Sequence, residues 1–290
     1  MRGAILVAGA DGFVGRALVR RFWQGGYKVY GAGGRAFTGD RPYVPVWHRA
    51  DEPDGGDPPS DLEVLVLAFG PRPGVTDAAA LARYREGIRR VAGWAAFWRV
   101  PRVVAISLLA ASERGGTALH RAKAEAEDLL RQSGVAWTIV RPSLLFGADN
   151  PLFLRLAAWA DHVVAPVPRT DALVQPLFVD DLAEVVLRIA VNPATVRETY
   201  DVAGPHPVGL RELLDQMGAN AVWWPRRTVV VPERWVGRSW IRWPWTPGEW
   251  EYFHHEPLVR DSRWVVEFGI LPRSLSMFYA PYRRRADAWP

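Results

Sequence analysis

The chain of 290 residues contains no cysteine, which excludes disulfides, thiolate metal centres and cysteine nucleophiles. Its six histidines are scattered, and the adjacent pair His254 and His255 diverges on a helix or a strand alike, so no metal site is expected. No stretch reaches the roughly 20 uncharged apolar residues of a membrane span, and the first residues lack the basic region, apolar stretch and cleavage site of a secretory leader. The expectation is a cytoplasmic protein without signal peptide or transmembrane helix. Lysine is scarce as well: of 36 basic residues only Lys28 and Lys123 are lysines.

What is present starts with a hydrophobic content of 49%, ample for a sizeable core. Residues 4–8 form an apolar, β-prone run that enters a glycine series at Gly9, Gly12 and Gly15; Phe13, Val14, Ala17 and Leu18 then recur at helical spacing. A strand feeding a helix through glycines is how a dinucleotide-binding turn begins. Gly9 permits the tight turn, Gly12 lets the backbone approach a pyrophosphate, Gly15 allows close helix-to-strand packing, and the helix N-terminus offers oriented N–H groups. The spacing is GxxGxxG, which also serves as a tight turn without a ligand. Asp11, bordering the nucleotide, is expected to cap the helix, because a carboxylate touching pyrophosphate would repel it.

Further strands are expected over 27–31, 62–68, 102–107 and 137–141, with a short one near 44–47 inside a stretch over 39–60 rich in Pro, Gly and Asp. Helices are expected over 78–98, over 118–133 with Gly134 as its C-terminal glycine, and over 182–190. Asp180 and Asp181 read as N-cap and dipole-favourable first turn of that last helix. This alternation predicts an α/β, Rossmann-type, doubly wound parallel sheet, with ligands at the carboxyl ends of the strands. Those ends are Gly9, residues 31–35, Ala68, Phe69 and Gly70, Ser107, and Arg141 to Ser143. Pro142 is expected to fix a turn and allow no further strand residue.

Read together, the glycine turn, RVPRVVAIS (99–107), HRAKAEAEDLLRQSGVAWTIVRPSLLFG (120–147) and QPLFVDDLAEVV (175–186) resemble the atypical short-chain dehydrogenases/reductases. Among them the chain is most similar to the nucleotide-binding accessory subunit of respiratory complex I and its bacterial relatives. TPGEWEYFHHEPLV (246–259) and FGILPRSL (268–275) match that subgroup more loosely. The resemblance implies an NAD(P)-binding domain over 1–205, in which 142–178 serve the substrate side, and a smaller subdomain over 206–290. It also implies that Lys123 holds the cofactor ribose and that Arg141 and Pro142 pass the nicotinamide. The strand-end serine role falls on Ser107, with Leu108 or Ser112 as alternatives.

The family's reductases use a tyrosine four residues before the lysine, and here position 119 is leucine. General acid–base catalysis contributes typically about 10²–10⁴-fold, so the usual mechanism is disabled unless another group substitutes. His120 is that candidate proton donor, or else an exposed helix histidine. Binding without catalysis, as a structural component of a respiratory assembly, is the first expectation. An active reductase or epimerase with an unusual proton donor, and a redox sensor for nicotinamide nucleotides, are the alternatives.

At the end of the second strand the chain offers Gly33, Gly34 and Arg35 and no acid. An arginine fork suits a 2′-phosphate, so NADP(H) is expected over NAD(H), although Arg35 also fits a solvated loop. From Ala221 onward lie nine of the 15 tryptophans, with 11 arginines against seven acids. Trp223, Trp224, Trp235, Trp240, Trp243, Trp245 and Trp250 interleave with Arg226, Arg227, Arg234, Arg238 and Arg242. Such a segment packs a small subdomain or docks to a membrane-associated complex at the inner face of the membrane. Nucleic acid is the less favoured partner, for want of a binding module.

Overall fold

The computed structural model describes residues 2–33, 47–48, 60–112, 114–160, 162, 164–218, 227–236, 241–255 and 257–278. Seven parallel strands form the central sheet: β1 (Arg2–Ala8), β2 (Tyr27–Ala32), β3 (Trp47–His48), β4 (Leu62–Leu67), β5 (Arg102–Ile106), β6 (Trp137–Pro142) and β11 (Thr199–Val202), in the spatial order β3-β2-β1-β4-β5-β6-β11. β1 is apolar on both faces because both are covered: Ala4 to Ala8 are all buried. On one face, α2 (Ala78–Phe97) and α3 (Ala118–Gln132) build a core with Leu65, Val103 and Ile139. On the other, α1 (Phe13–Gln24), α5 (Val179–Val191) and α8 (Arg263–Phe268) enclose Ile5, Val66 and Val140. The expected doubly wound sheet is therefore the architecture of the chain.

Short pairs of strands extend the fold beside the sheet. β7 (Leu145–Phe146) pairs with β10 (Leu177–Phe178), β8 (Val164–Pro168) with β13 (Arg227–Val231), and β9 (Leu173–Val174) with β12 (Val208–Gly209). With them lie α4 (Pro151–Ala160), α6 (Leu210–Gly218) and α7 (Pro247–His255). Leu156, Leu213, Trp245 and Phe253 join these elements to the α2/α3 side of the core.

Several expectations shift at their edges. α3 ends with Ser133 as its cap, and Gly134 takes φ +78, as the predicted C-terminal glycine should. Pro142 is the last residue of β6: its carbonyl accepts from the Leu109 N–H beyond β5 at 3.2 Å, and on the β11 side, where it pairs with Val202, the next residue Ser143 donates to the Val202 carbonyl at 2.9 Å. α5 begins three residues before the expected 182, with Phe178 at the N-cap and no side-chain cap. Asp180 and Asp181 therefore occupy the first turn, as the dipole argument requires, but neither caps the helix. Of the short strand expected near 44–47 only Trp47 is among the described residues.

Candidate functional site

The glycine turn is built by hydrogen bonds across the sheet. Gly9 and Ala10 both donate to the Ala32 carbonyl, at 2.7 and 3.1 Å, which places the turn at the ends of β1 and β2. Gly9 takes φ +90, and a Cβ there would lie 2.7 Å from the Phe69 nitrogen, so the turn rests directly on the backbone leaving β4. A Cβ on Gly15 would lie 2.0 Å from the Gly9 oxygen, which is why the helix can pack so close to the strand. Gly12 is the N-cap of α1 and offers no side-chain cap. Asp11 does not provide the expected cap; its carbonyl accepts from Arg16 Nη1 at 2.6 Å. The first-turn N–H groups of α1, around Phe13, Val14 and Gly15, thus have no side-chain partner from the cap position.

The ends of β4 and β5 bring the next residues together. Lys123, from α3, is buried and donates from Nζ to the Ile106 carbonyl at 3.4 Å. A Cβ on Gly70 would lie 3.0 Å from that Nζ. Burial pulls the Lys123 ammonium down to about 8, against a partly compensating pull from the Glu127 carboxylate. Ser107 is buried beside it, and its hydroxyl has no protein partner. Lys123, Ser107 and Gly70 therefore converge at the strand ends, and Ala68 and Phe69 lie between Gly70 and the glycine turn.

Two other candidates are held elsewhere. Arg141 sends Nε and Nη2 to the two oxygens of Glu127, at 2.8 and 2.5 Å, and Glu127 also receives Arg131 Nη2 at 2.8 Å. That charge is committed to a buried carboxylate on α3, so only the backbone of Arg141 is left to meet a ligand at the end of β6. His120 is not an exposed helix histidine: it is 0% exposed. Its Nδ1 takes the Thr117 N–H at 3.3 Å and faces the Thr117 hydroxyl at 2.7 Å, completing a capping box in which histidine replaces the usual Glu or Gln. Its ring stacks on Tyr252 of α7, with centroids 5.7 Å apart and planes 5° apart. Burial, then the nearby His255 and Arg121, push His120 down to about 4. An enclosed, neutral ring whose Nδ1 is already engaged is poorly placed to hand a proton to a carbonyl.

Sequence reasoning missed the groups that create this setting. Tyr84, from α2, places its ring 4.5 Å from Lys123 Nζ. Leu119 is 1% exposed and belongs to the same core as Tyr84 and Tyr252. α7 reaches this face from the C-terminal part: a Cβ on Gly116 would clash with the His255 ring, and one on Gly74 would lie 2.5 Å from the Glu249 nitrogen. The glycine at 116 was the available signal, but its partner lies 139 positions later.

The tryptophan-rich segment packs largely on itself. Trp243 stacks on Trp245 and Trp245 on Trp250, each pair at 5.3 Å, and Trp159 of α4 closes the row 5.9 Å from Trp243. Arg35, Trp223, Trp224, Trp240, Arg226 and Arg238 lie outside the described residues. Among the described residues no helix is long and apolar enough to cross a membrane.

No protein-family model matches the chain. Among curated proteins, it is 32% identical over 120 residues to the NADH dehydrogenase [ubiquinone] 1 alpha subcomplex subunit 9 of Dictyostelium discoideum, covering 41% of this chain and 33% of that protein. It is 24% identical over 205 residues to the NADH-ubiquinone oxidoreductase 40 kDa subunit of Neurospora crassa, covering 68% and 54%. A ceramide reductase of Caulobacter vibrioides is 29% identical over 202 residues, covering 66% and 62%. The matches thus span a third to about three fifths of these relatives' own lengths. Among solved structures, UDP-N-acetylglucosamine 4-epimerase from Bacillus cereus superposes with a TM-score of 0.75 at 13% identity, over 99% of this chain and 97% of that one. The Bordetella bronchiseptica enzyme WbmH in complex with NAD+ gives 0.72 at 18%, over 97% and 98%. The relatives bear out the likeness to the complex I accessory subunit and its atypical short-chain dehydrogenase/reductase kin; the structures bear out the Rossmann fold.

Proposed function

We propose that this chain binds a nicotinamide nucleotide at the carboxyl edge of its sheet as a non-catalytic, accessory component of a complex I-like respiratory assembly. The observation that carries the reading is the pairing of a retained Lys123 with a buried Leu119. The lysine that would hold a ribose stands at the strand ends, while the position of the catalytic phenol is closed inside the core. The fit to a nucleotide rests on three groups: the α1 N-terminus without a side-chain cap, the partnerless Ser107 hydroxyl, and an ammonium with one long hydrogen bond. Gly9, Gly12, Phe13, Val14 and Gly15 would hold the pyrophosphate, with Ala68, Phe69 and Gly70 alongside. Lys123 and Ser107 would meet the ribose and nicotinamide end. A bound nicotinamide would supply hydride transfer, but four residues before Lys123 the chain carries leucine, which neither donates nor accepts a proton.

NADP(H) is preferred in this reading because no acid follows β2 and Arg35 does. In this reading the arginines and tryptophans of the C-terminal part dock the chain to its assembly at the membrane, while α8, inside the range 206–290 expected for the smaller subdomain, packs on the α1/α5 face of the main sheet. The likeness to the two complex I subunits supports that partner.

The test is a calorimetric titration of purified protein with NADPH and NADH, after a denatured sample has been checked for nucleotide carried through purification. Tight NADPH binding, or retained nucleotide, without turnover on a panel of carbonyl substrates is the expected result. Steady NADPH oxidation with any of them would replace this reading by that of an active reductase, and an empty protein that binds neither nucleotide would overturn it.

A further inference from the structure

A leucine at 119 strips Lys123 of the neighbour its family would give it, yet Lys123 is not released to solvent. It is 6% exposed, and among the described residues its hydrogen bond to Ile106 engages one of its three donors. The rest of the charge meets an aromatic face: Nζ stands 4.5 Å from the centroid of the Tyr84 ring, within cation–π range. Ring, ammonium and strand end are in mutual contact, since a Cβ on Gly70 would lie 3.0 Å from both Nζ and Tyr84 Cε2. The ring is itself braced. Phe69 packs edge-on against it, with centroids 6.1 Å apart at 70°, and rests on Gly87, one turn along α2 from Tyr84.

We infer that Tyr84 is the positioning residue of Lys123: a ring supplied by α2, in place of one at position 119 of α3, clamps the ammonium at the ends of β4 and β5. Held there, the ammonium directs its remaining donors to an oxygen-rich ligand, the nucleotide ribose in the reading above, on which this inference rests for its ligand. The face of the ring does the clamping, and the hydroxyl does not take part. Burial, aided by the Glu127 carboxylate, raises the Tyr84 phenol above its ordinary range, so it remains neutral and forms no ion pair with the lysine.

Only two lysines occur in the chain, so lysine labelled with ¹³C at Cε gives two signals, and K28R leaves Lys123 alone. The expected wild-type spectrum shows that carbon shifted upfield by the ring, with contacts between its protons and the Tyr84 ring protons. Absence of those contacts overturns the inference whatever the variants do. Tyr84→Phe is expected to keep the shift and the NADPH affinity measured by calorimetry, whereas Tyr84→Leu loses the shift and binds NADPH about fivefold to tenfold more weakly. A Tyr84→Leu protein with unchanged shift, or with unchanged affinity, overturns the inference. A wild-type protein that binds no nucleotide defeats the nucleotide reading instead; the clamp then stands or falls on whether Tyr84→Leu moves the Lys123 signal and Tyr84→Phe does not.

Discussion

The carboxylate of Asp181 receives both the backbone N–H and the Nε–H of Arg273, each at 2.7 Å, and so ties the segment after α8 to the first turn of α5. The guanidinium also lies 4.4 Å from the Phe178 ring centroid, and Phe178 stacks on Phe278 at 4.0 Å. Asp181 is buried, so removing the guanidinium leaves its charge with the Arg273 backbone N–H but no countercharge from that side chain.

Arg273→Ala is therefore expected to destabilise the protein by about 2–4 kcal/mol in chemical denaturation. Asp181→Asn in the same background should recover part of that loss, because it removes the stranded charge. Equal stability of Arg273→Ala and wild type would show that the contact contributes nothing.

The two inner glycines should respond differently. A methyl at Gly15 would sit 2.0 Å from the Gly9 oxygen, whereas one at Gly12 would sit 3.2 Å away. Gly15→Ala is expected to be too unstable to purify in folded form, while Gly12→Ala folds with a loss of about 1 kcal/mol. If the turn holds pyrophosphate, Gly12→Ala loses NADPH affinity by calorimetry while its melting temperature without ligand falls by only about 2–4 °C.

His120 sets a pH dependence. Its folded value lies near 4, below the ordinary 6.5 of histidine. The unfolded chain thus binds the extra proton first, and the stability contributed by neutral His120 is full above about 6.5 and lost as the pH falls towards about 4. Thermal denaturation across pH 4–7 should show that slope, and His120→Gln, which keeps a capping-box acceptor without the titration, should flatten it. An unchanged slope in His120→Gln would remove His120 as its source.

Placing at 119 the tyrosine that similar reductases carry should not create turnover. Leu119 is buried in the core that α2, α3 and α7 share, so Leu119→Tyr overpacks that core at a cost of about 1–3 kcal/mol. NADPH oxidation on a carbonyl panel should stay at background. Turnover gained by this single change would mean that α7 yields and that a substrate still reaches the face.

The central sheet was legible because its signals are local. Apolar runs bounded by glycine, such as 4–8, are buried on both faces wherever they pair, and Gly134 ends α3 by its own backbone preference. The convergence of Gly9, Gly70, Ser107 and Lys123 followed from topology, since parallel strands bring their carboxyl ends to one edge. His120 was misjudged because α7 covers it from more than 130 positions away. The side-chain partner of Arg141 was not legible, because Glu127 looks like any other helix carboxylate in sequence.

By itself the sequence determined the doubly wound sheet and the glycine turn, which depend on residue type and short-range period; that leucine stands at 119 where similar reductases carry tyrosine came from the resemblance. Tertiary structure decided which charges are spent inside and which remain free to bind. Arg141 is neutralised by Glu127, Asp181 by Arg273, His120 is sealed by Tyr252, and Lys123 is turned to the strand ends beneath Tyr84. The physical reason is burial: a charge or a ring acquires its role from the partner that replaces water around it, and that partner is chosen by packing across the whole chain.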